Sequence, residues 1–288
     1  MGTMTFGTPV AEADAIRMVH WALDHGINFI DSANIYEGYA RVLGSPGGVA
    51  ESIIGKALKG RRDQAVLATK VGMRVGEAPE DEGTSPAALR KHLELSLDRL
   101  ATDVIDLYYL HKPDPETPLV ETLGALDQVI REGKVRYYGV SNYSARELSD
   151  LLTVADADGL PRPVLCQPPL SLLRQDVLSD LLPLCEREHI AVTPYQILQS
   201  GLLTGKYRRG ESLPEDSRKG EQSGWVWELT DALFDRLDEI EAQSRKAGLT
   251  MTQHAIRWVL AQPAVVAAIV GVKRTEQLEE AMAAVVGG

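Results

Sequence analysis

Four side chains with complementary chemistry stand at or just after the ends of three successive apolar runs. Asp31 ends NFID and Tyr36 follows it in SANIY, while Lys70 ends AVLATK and His111 ends VIDLYYLH. If the runs are parallel strands of one barrel, their carboxyl ends bring these groups to a common rim. The sequence therefore predicts that a carboxylate, a phenol, an ammonium group and an imidazole meet in one site.

These four groups suit the reduction of a carbonyl compound. Hydride addition leaves an alkoxide that needs a proton, and Tyr36 can donate it, although an unperturbed phenol has a pKa of about 10. The Lys70 ammonium would stabilise the phenolate and lower that pKa. Asp31 would keep Lys70 charged and in position, and His111 would hydrogen-bond and orient the carbonyl oxygen.

Each residue alone has a simpler explanation. An aspartate at a strand end often caps a loop, and a single histidine or lysine there is usually solvated. Lys70 is also compatible with a Schiff-base aldolase, which needs a desolvated, uncharged lysine. An adjacent Asp31 argues against that chemistry, and the set of four favours a reductase.

The strands that position these groups are predicted from apolar runs that alternate with helical patterns. Near-continuous apolar runs are typical of parallel strands buried on both faces. The seven runs are Ile27–Asp31, Ala65–Lys70, Val104–Leu110, Val135–Val140, Val164–Gln167, Ile190–Tyr195 and Val265–Val270. With Gly2–Phe6 as the eighth strand, the pattern predicts an α/β fold, a (β/α)8 TIM barrel that forms a single domain over 1–288.

Helix boundaries are marked by capping residues. Ser85-Pro86 and Thr117-Pro118 each predict an N-cap followed by proline at the first helical position. Ser144 with Glu147 predicts a capping box. Further helices are predicted over Asp14–Asp24, Glu51–Leu58, Asp231–Lys246 and Met251–Leu260.

The main structural alternative is an open, doubly wound sheet. A dinucleotide-binding sheet of that kind would carry GxGxxG after its first strand, and the sequence contains neither this motif nor GxxxxGK[ST]. The stretch from Gln196 to about Thr230 is rich in Gly, Ser, Pro and charge. A loop of such length in a compact domain is usually functional or disordered.

Composition excludes several classes of protein. The 288 residues are 44% hydrophobic and carry a net charge of −11, which argues against a generic nucleic-acid binder. No apolar run approaches the roughly 18 residues needed to span a bilayer, and the first ten residues do not resemble a secretory signal. Two cysteines, Cys166 and Cys185, form no disulfide framework, so we expect a cytoplasmic protein. No residue is assigned to a metal, and no oligomeric state is favoured.

Eight segments resemble the aldo-keto reductase superfamily over nearly the whole chain. They are GTMTFG, HWALDHGINFIDSANIY, ESIIGKAL, LATKVG, LDRLATDVIDLYYLHKPDPETP, GKVRYYGVSNYS, TPYQILQSGLLTGKY and GVKRTEQLEEAMAA. The resemblance is closer to bacterial reductases and potassium-channel β subunits than to mammalian aldose reductase. It implies a (β/α)8 barrel, NADP(H), a small carbonyl substrate and the tetrad Asp31, Tyr36, Lys70 and His111.

The resemblance also implies where the cofactor binds. Ser141, Asn142 and Gln167 would hold the nicotinamide carboxamide, with Tyr195 stacked on the ring and Thr3, Met4 and Asp31 nearby. Gln196, Ile197, Leu198 and Gly201 would line the pyrophosphate, with Lys206 and Arg218 as cations. Gly271 would admit the backbone close to the adenosine, Lys273 and Arg274 would meet the 2′-phosphate, and Gln277 and Glu280 would contact the adenine.

The sequence departs from the family pattern at several places. The family usually begins with a β-hairpin that closes the bottom of the barrel. Here the chain starts at GTM, so we expect that hairpin to be absent or cut away. Gln196-Ile197 replaces the usual Ser-Pro, Cys166 and Leu170 replace Asn and Tyr, and Ala281 replaces Asn. These changes affect the expected nicotinamide contacts but not the tetrad.

The leading alternative function is an NADP(H)-binding regulatory module that resembles the channel β subunits. Those proteins carry Asn at the position of His111, so the complete tetrad favours an enzyme. We expect three variable loops to select the substrate: Tyr36–Gly48, Gly72–Ser85 and Glu211–Trp227. Trp225 and Trp227 would either line a substrate pocket there or serve packing.

Overall fold

Six strands pair in chain order in one parallel sheet in the computed structural model, which describes residues 1–215, 217–221, 224 and 226–285. Their registers join each strand to the next without interruption. The strands are β1 (Phe29–Asp31), β2 (Val66–Val71), β3 (Ile105–Leu110), β4 (Val135–Ser141), β5 (Leu165–Gln167) and β6 (Ala191–Val192). Parallel pairing throughout places every strand's carboxyl end on the same rim.

The two remaining predicted strands close the ring as short extended segments. Val265 forms a parallel bridge to Val192, and Gly2 bridges both Gly271 and Asp31. The Gly2 amide donates to the Val270 carbonyl at 2.8 Å, and the Thr3 amide donates to the Asp31 carbonyl at 3.1 Å. The sheet therefore curls back onto β1, as a (β/α)8 barrel requires.

These closing segments are shorter than the sequence predicts, for local reasons. The Pro194 carbonyl accepts from the Ile269 amide at 2.9 Å. Because proline has no N–H, Pro194 cannot donate a hydrogen bond to the same ladder. The neighbouring β6 ends at Val192, short of the predicted strand Ile190–Tyr195, although the Tyr195 amide still donates to the Pro168 carbonyl at 3.0 Å. The chain turns directly after Gly2, where the Phe6 amide donates to the Thr3 carbonyl at 3.0 Å.

Helices cover the outside of the sheet and follow the strands in alternation. Helices α1 to α5 are Glu12–Asp24, Val49–Ala57, Pro86–Leu100, Leu119–Arg131 and Ala145–Asp158. Helices α6 to α10 are Leu181–Arg187, Arg218–Glu221, Asp231–Lys246, Met251–Leu260 and Thr275–Ala283. Within the described ranges, no helix has both the length and the apolar character needed to cross a membrane.

Two of the three predicted caps are confirmed. Ser85 Oγ accepts from the Ala88 amide, and Ser144 forms a reciprocal capping box with Glu147. The Thr117-Pro118 prediction is wrong, because Pro118 itself occupies the N-cap position in an extended conformation. Thr117 Oγ1 instead donates to Asp114 Oδ2 at 2.8 Å.

The inside of the barrel is filled beneath the carboxyl rim. Ala68, Leu107, Tyr109 and Leu165 form a buried cluster there. Gly139 makes room for it, because a Cβ at that position would lie 2.6 Å from Tyr109 Cε1 and 2.8 Å from the Leu165 carbonyl oxygen. The Tyr109 ring thus lies inside the barrel, below the polar groups at the strand ends.

Candidate active site

The structure brings together the four residues predicted from the strand ends. Asp31 is the last residue of β1, Lys70 lies near the end of β2, and His111 directly follows β3. Tyr36 lies on the loop after β1. Lys70 Nζ is 3.4 Å from Tyr36 Oη, and the rings of Tyr36 and His111 meet edge to face with centroids 6.0 Å apart.

A buried ion pair forms the centre of the site. Lys70 Nζ donates to Asp31 Oδ2 at 2.7 Å and to the Ser32 carbonyl at 2.7 Å. The two side chains are only 0% and 3% exposed. Since buried charges need partners, this pairing fixes the Lys70 ammonium against the phenol of Tyr36.

Burial and charge act in opposite directions on the two proton-carrying groups. Burial raises the pKa of Tyr36 above 10, more than the neighbouring Lys70 charge lowers it. Burial alone would lower the pKa of Lys70, but Asp31, by charge and hydrogen bond, and the Tyr36 charge outweigh it and the net shift is upward. Lys70 thus lowers the pKa of Tyr36, as the sequence predicts, but burial outweighs this effect. Tyr36 is therefore a phenol and Lys70 an ammonium near neutral pH.

His111 is neutral near neutral pH. Burial lowers its pKa well below 6.5, and the charges of Lys70, Arg41 and Lys112 act in the same direction. A neutral imidazole can still donate one hydrogen bond from one ring nitrogen. His111 is thus suited to orient a carbonyl oxygen rather than to transfer a proton.

Residues on both sides of Asp31 hold its carboxylate and backbone in place. Gln167 Nε2 donates to Asp31 Oδ1 at 2.8 Å, so both carboxylate oxygens are engaged. Thr3 Oγ1 donates to the Asp31 carbonyl at 2.9 Å, and Ser141 Oγ donates to the Gln167 carbonyl at 2.9 Å. Thr3, Ser141 and Gln167 thus support the ion pair, and cofactor contact by them remains a prediction.

Asn142 links three strand ends in a left-handed backbone conformation with φ of 61°. Its Nδ2 donates to the His111 carbonyl at 2.8 Å, and its Oδ1 accepts from Tyr195 Oη at 2.7 Å. Asn142 and Tyr195 therefore lie on the rim beside His111. The predicted carboxamide and stacking positions are next to the tetrad.

The segment predicted to line a pyrophosphate follows Tyr195 along the rim. Gln196, Ser200 and Gly201 have positive φ, and a Cβ on Gly201 would lie 3.1 Å from Lys206 Nζ. The Ile197 side chain is buried in the main core, so only its backbone can face a ligand. Leu198 is partly buried against the same core.

A second group of cations surrounds Tyr39, which sequence reasoning did not single out. Arg218 Cζ and Lys273 Nζ lie 5.2 Å and 5.6 Å from the centroid of its ring. Lys273 also forms an ion pair with Glu221 of α7. The structure thus brings Arg218 close to Lys273, although 54 positions of sequence separate them.

The residues predicted for the adenosine lie on α10 and in the segment just before it. Gln277 Oε1 accepts from the Lys273 amide at 2.7 Å and from the Arg274 amide at 3.3 Å. Glu280 Oε1 accepts from Thr250 Oγ1 at 2.9 Å, so it also ties α10 to the N-cap of α9. An ideal Cβ on Gly271 would meet no atom within 4 Å, which leaves open space there.

Met4, predicted to lie near the nicotinamide, is half-buried near the start of the chain.

The donor set fits a nicotinamide dinucleotide that carries phosphates. Lys206, Arg218, Lys273 and Arg274 supply local positive charge in a chain of net charge −11. The amino end of α10 adds partial positive charge beside the last two. Open space at Gly271 suits close approach of an adenosine. These residues would hold the phosphates and the adenosine, with the nicotinamide placed at the tetrad.

Two of the predicted substrate loops meet at the rim. Arg41 Nη2 donates to the Arg74 carbonyl at 2.8 Å, and the Gly76 amide donates to the Ser45 carbonyl at 3.0 Å. In the third loop, Trp227 is 43% exposed. Trp225 lies outside the residues that the structure describes.

Comparison with known proteins gives a consistent result over the whole chain. The family model described as "Aldo/keto reductase family" matches residues 1–286. A probable voltage-gated potassium channel subunit beta from Arabidopsis thaliana is 33% identical, and the match covers 98% of this chain and 85% of that protein. An L-glyceraldehyde 3-phosphate reductase from Escherichia coli O157:H7 is 33% identical, over 90% of this chain and 75% of that protein.

A solved structure shows the same architecture. The glycerol dehydrogenase from Gluconobacter oxydans superposes with a TM-score of 0.82 and 31% sequence identity. The match covers 100% of this chain and 86% of that one. The curled six-stranded sheet with its short closing segments is therefore a (β/α)8 barrel.

Proposed function

The chain belongs to the aldo/keto reductase family, and we propose that it reduces an aldehyde or ketone to an alcohol with NADPH. The observation that carries this proposal is the buried Asp31–Lys70 pair held at 2.7 Å beside the phenol of Tyr36. The family's chemistry is oxidoreduction at carbonyl groups. The choice of cofactor and the role of each residue are our inferences.

When bound at the tetrad, a nicotinamide cofactor would supply the hydride. Tyr36 supplies the proton to the oxygen of the substrate, since burial keeps it a phenol. As the proton leaves, negative charge develops on Tyr36 Oη, 3.4 Å from the Lys70 ammonium. Lys70 stabilises that charge at the moment when it forms, and Asp31 keeps Lys70 protonated and aimed.

His111 positions the substrate. Because its pKa is depressed, the imidazole remains neutral and can hydrogen-bond the carbonyl oxygen beside Tyr36. Asn142 Nδ2 holds the backbone carbonyl of His111, and Tyr195 Oη in turn donates to Asn142 Oδ1. This arrangement limits the directions from which a carbonyl group can approach Tyr36 Oη.

Local cations at the start of α10 support NADP(H) rather than NAD(H). Lys273 and Arg274 directly precede α10, where the helix start favours an anion. An overall charge of −11 makes dianionic phosphate binding unfavourable unless cations are placed locally. We propose that these two residues bind the 2′-phosphate, with Lys206 and Arg218 at the pyrophosphate.

We propose a small carbonyl compound as the substrate, because two similar proteins are an L-glyceraldehyde 3-phosphate reductase and a glycerol dehydrogenase. We further propose that the chain forms one domain and acts in the cytoplasm. Both cysteines are free and buried, which agrees with a reducing compartment.

The second candidate is a regulatory module that binds NADP(H), since potassium-channel β subunits are among the relatives. The presence of His111 beside Tyr36 favours the enzyme. A panel of aldehydes and ketones, assayed by loss of NADPH absorbance, separates the two candidates. Turnover supports the enzyme, whereas tight NADPH binding without turnover of any carbonyl compound would favour the module.

A further inference from the structure

Arg41 is a half-buried arginine at the rim of the active site. It lies five residues after Tyr36, and its Nη2 donates to the carbonyl of Arg74 on the loop after Lys70 (2.8 Å). Its charge acts on His111, whose imidazole faces Tyr36. The two loops follow β1 and β2, so the guanidinium lies on the same carboxyl rim as Tyr36 and Lys70.

No carboxylate neutralises Arg41 among the residues that the structure describes. Glu37, the nearest carboxylate in sequence, accepts from Ser45 Oγ. Two neighbouring cations share one partner: Arg74 Nε pairs with Glu82 Oε2 at 2.9 Å, and Lys112 Nζ pairs with Glu82 Oε1 at 2.7 Å. One carboxylate thus serves both of these cations, although Asp and Glu outnumber Lys and Arg by 41 to 30 in the chain.

The guanidinium of Arg41 also has donor capacity beyond its bond to Arg74. Its Nε is buried and has no hydrogen-bond acceptor within the described ranges. A buried donor without a partner costs free energy. A guanidinium presents its N–H groups as a planar fork that matches a carboxylate or a phosphate.

We propose that Arg41 selects carbonyl substrates that carry an anionic group, a carboxylate or a phosphate, a few bonds from the reacting carbon. This rests on the proposed carbonyl reduction and names the class of substrate for it. If Arg41 only joined the two loops, its loss would affect charged and neutral substrates equally.

The test compares matched substrates that differ in charge. The carboxylate pair is 4-carboxybenzaldehyde and its methyl ester, and the phosphate pair is glyceraldehyde 3-phosphate and glyceraldehyde. In the unmodified enzyme, kcat/KM should favour the anionic member of at least one pair, and the pair that shows the preference identifies the anion. Arg41→Met should lower kcat/KM for that anion roughly 10- to 100-fold, as expected for one charge-assisted contact, and leave the neutral member unchanged.

Two further variants separate specific recognition from general charge. Arg41→Lys keeps the charge but loses the fork, so it should retain part of the preference. Arg131→Met removes a charge from the surface of α4, where that side chain is 76% exposed, and should change nothing. Equal kcat/KM for the anionic and neutral members of both pairs, or equal loss on both members in Arg41→Met, would overturn the proposal.

A binding measurement keeps this test independent of turnover. Calorimetry with NADP⁺ present compares 4-carboxybenzyl alcohol with its methyl ester on the unmodified protein and on Arg41→Met. Tighter binding of the acid that disappears in the variant supports the anion site, even if no aldehyde is reduced and the proposed reaction fails. If the acid binds no tighter than the ester, or still binds tighter after the substitution, Arg41 does not select a carboxylate. The dissociation constants of glycerol 3-phosphate and glycerol, compared in the same way, then decide whether Arg41 selects a phosphate.

Discussion

Removing either partner of the Asp31–Lys70 pair should destabilise the protein far more than removing both. Asp31→Asn leaves the Lys70 ammonium buried among neutral partners only, which include the Ser32 carbonyl and the phenol of Tyr36. Lys70→Met leaves the Asp31 carboxylate buried with Gln167. Because an uncompensated buried charge is costly, each single substitution should cost about 3–5 kcal/mol.

The double variant Asp31→Asn/Lys70→Met buries no unpaired charge. Its cost should therefore fall at least about 2 kcal/mol below the sum of the two single costs. The assay is urea unfolding followed by circular dichroism at pH 7.5, with the free energies compared in a double-mutant cycle. Additive costs would refute the view that the two charges need each other for burial.

The Glu12–Lys56 pair provides a matched control for burial. Its N–O distance is 2.8 Å, close to the 2.7 Å of the buried pair, but its side chains are 50% and 57% exposed. Exposed pairs contribute less than about 1 kcal/mol. The cycle Glu12→Gln/Lys56→Met should therefore show a small coupling free energy. A large coupling free energy at Asp31–Lys70 can then be attributed to burial.

Three further predictions concern the cofactor, pH and the barrel interior. NADPH should bind at least about tenfold tighter than NADH; Lys273→Ala/Arg274→Ala should remove most of that preference, and equal dissociation constants in the unmodified protein would contradict it. Because folded His111 resists protonation while an unfolded histidine takes a proton near pH 6.5, the free energy of unfolding should fall by about 1 kcal/mol from pH 7 to 5.5. His111→Asn should remove this pH-dependent loss of stability, and an unchanged pH dependence in the variant would contradict the prediction. Gly139→Ala should cost about 1–3 kcal/mol by overpacking against Tyr109, whereas Gly124→Ala, whose Cβ would enter open space, should not destabilise; equal urea midpoints for the two variants would oppose this.

The sequence predicts the regular elements well where periodicity and caps agree. The predicted helices Asp231–Lys246 and Met251–Leu260 match α8 and α9 residue for residue. The closing strands are less predictable, because apolar runs do not reveal where ladder bonds end. Pro194 and the turn at Thr3 limit those strands through single backbone groups.

The tetrad follows from residues at strand ends, but its electrostatics do not. A lysine beside a tyrosine predicts a lowered phenol pKa, whereas the degree of burial decides the net direction. The contacts Lys273–Glu221 and Arg41–Arg74 join loops that are distant in sequence. Only the closed barrel places these loops side by side, so their pairing could not be inferred from local patterns.

Single-turnover hydride transfer with Tyr36→Phe tests the central claim most directly. Enzyme and NADPH are mixed with a reducible aldehyde in a stopped-flow instrument, and the decay of cofactor absorbance is compared between the variant and the unmodified protein. If Tyr36 donates the proton, the rate should fall by roughly 10²- to 10⁴-fold while the dissociation constant for NADPH stays nearly the same. An unchanged single-turnover rate in Tyr36→Phe would contradict the account.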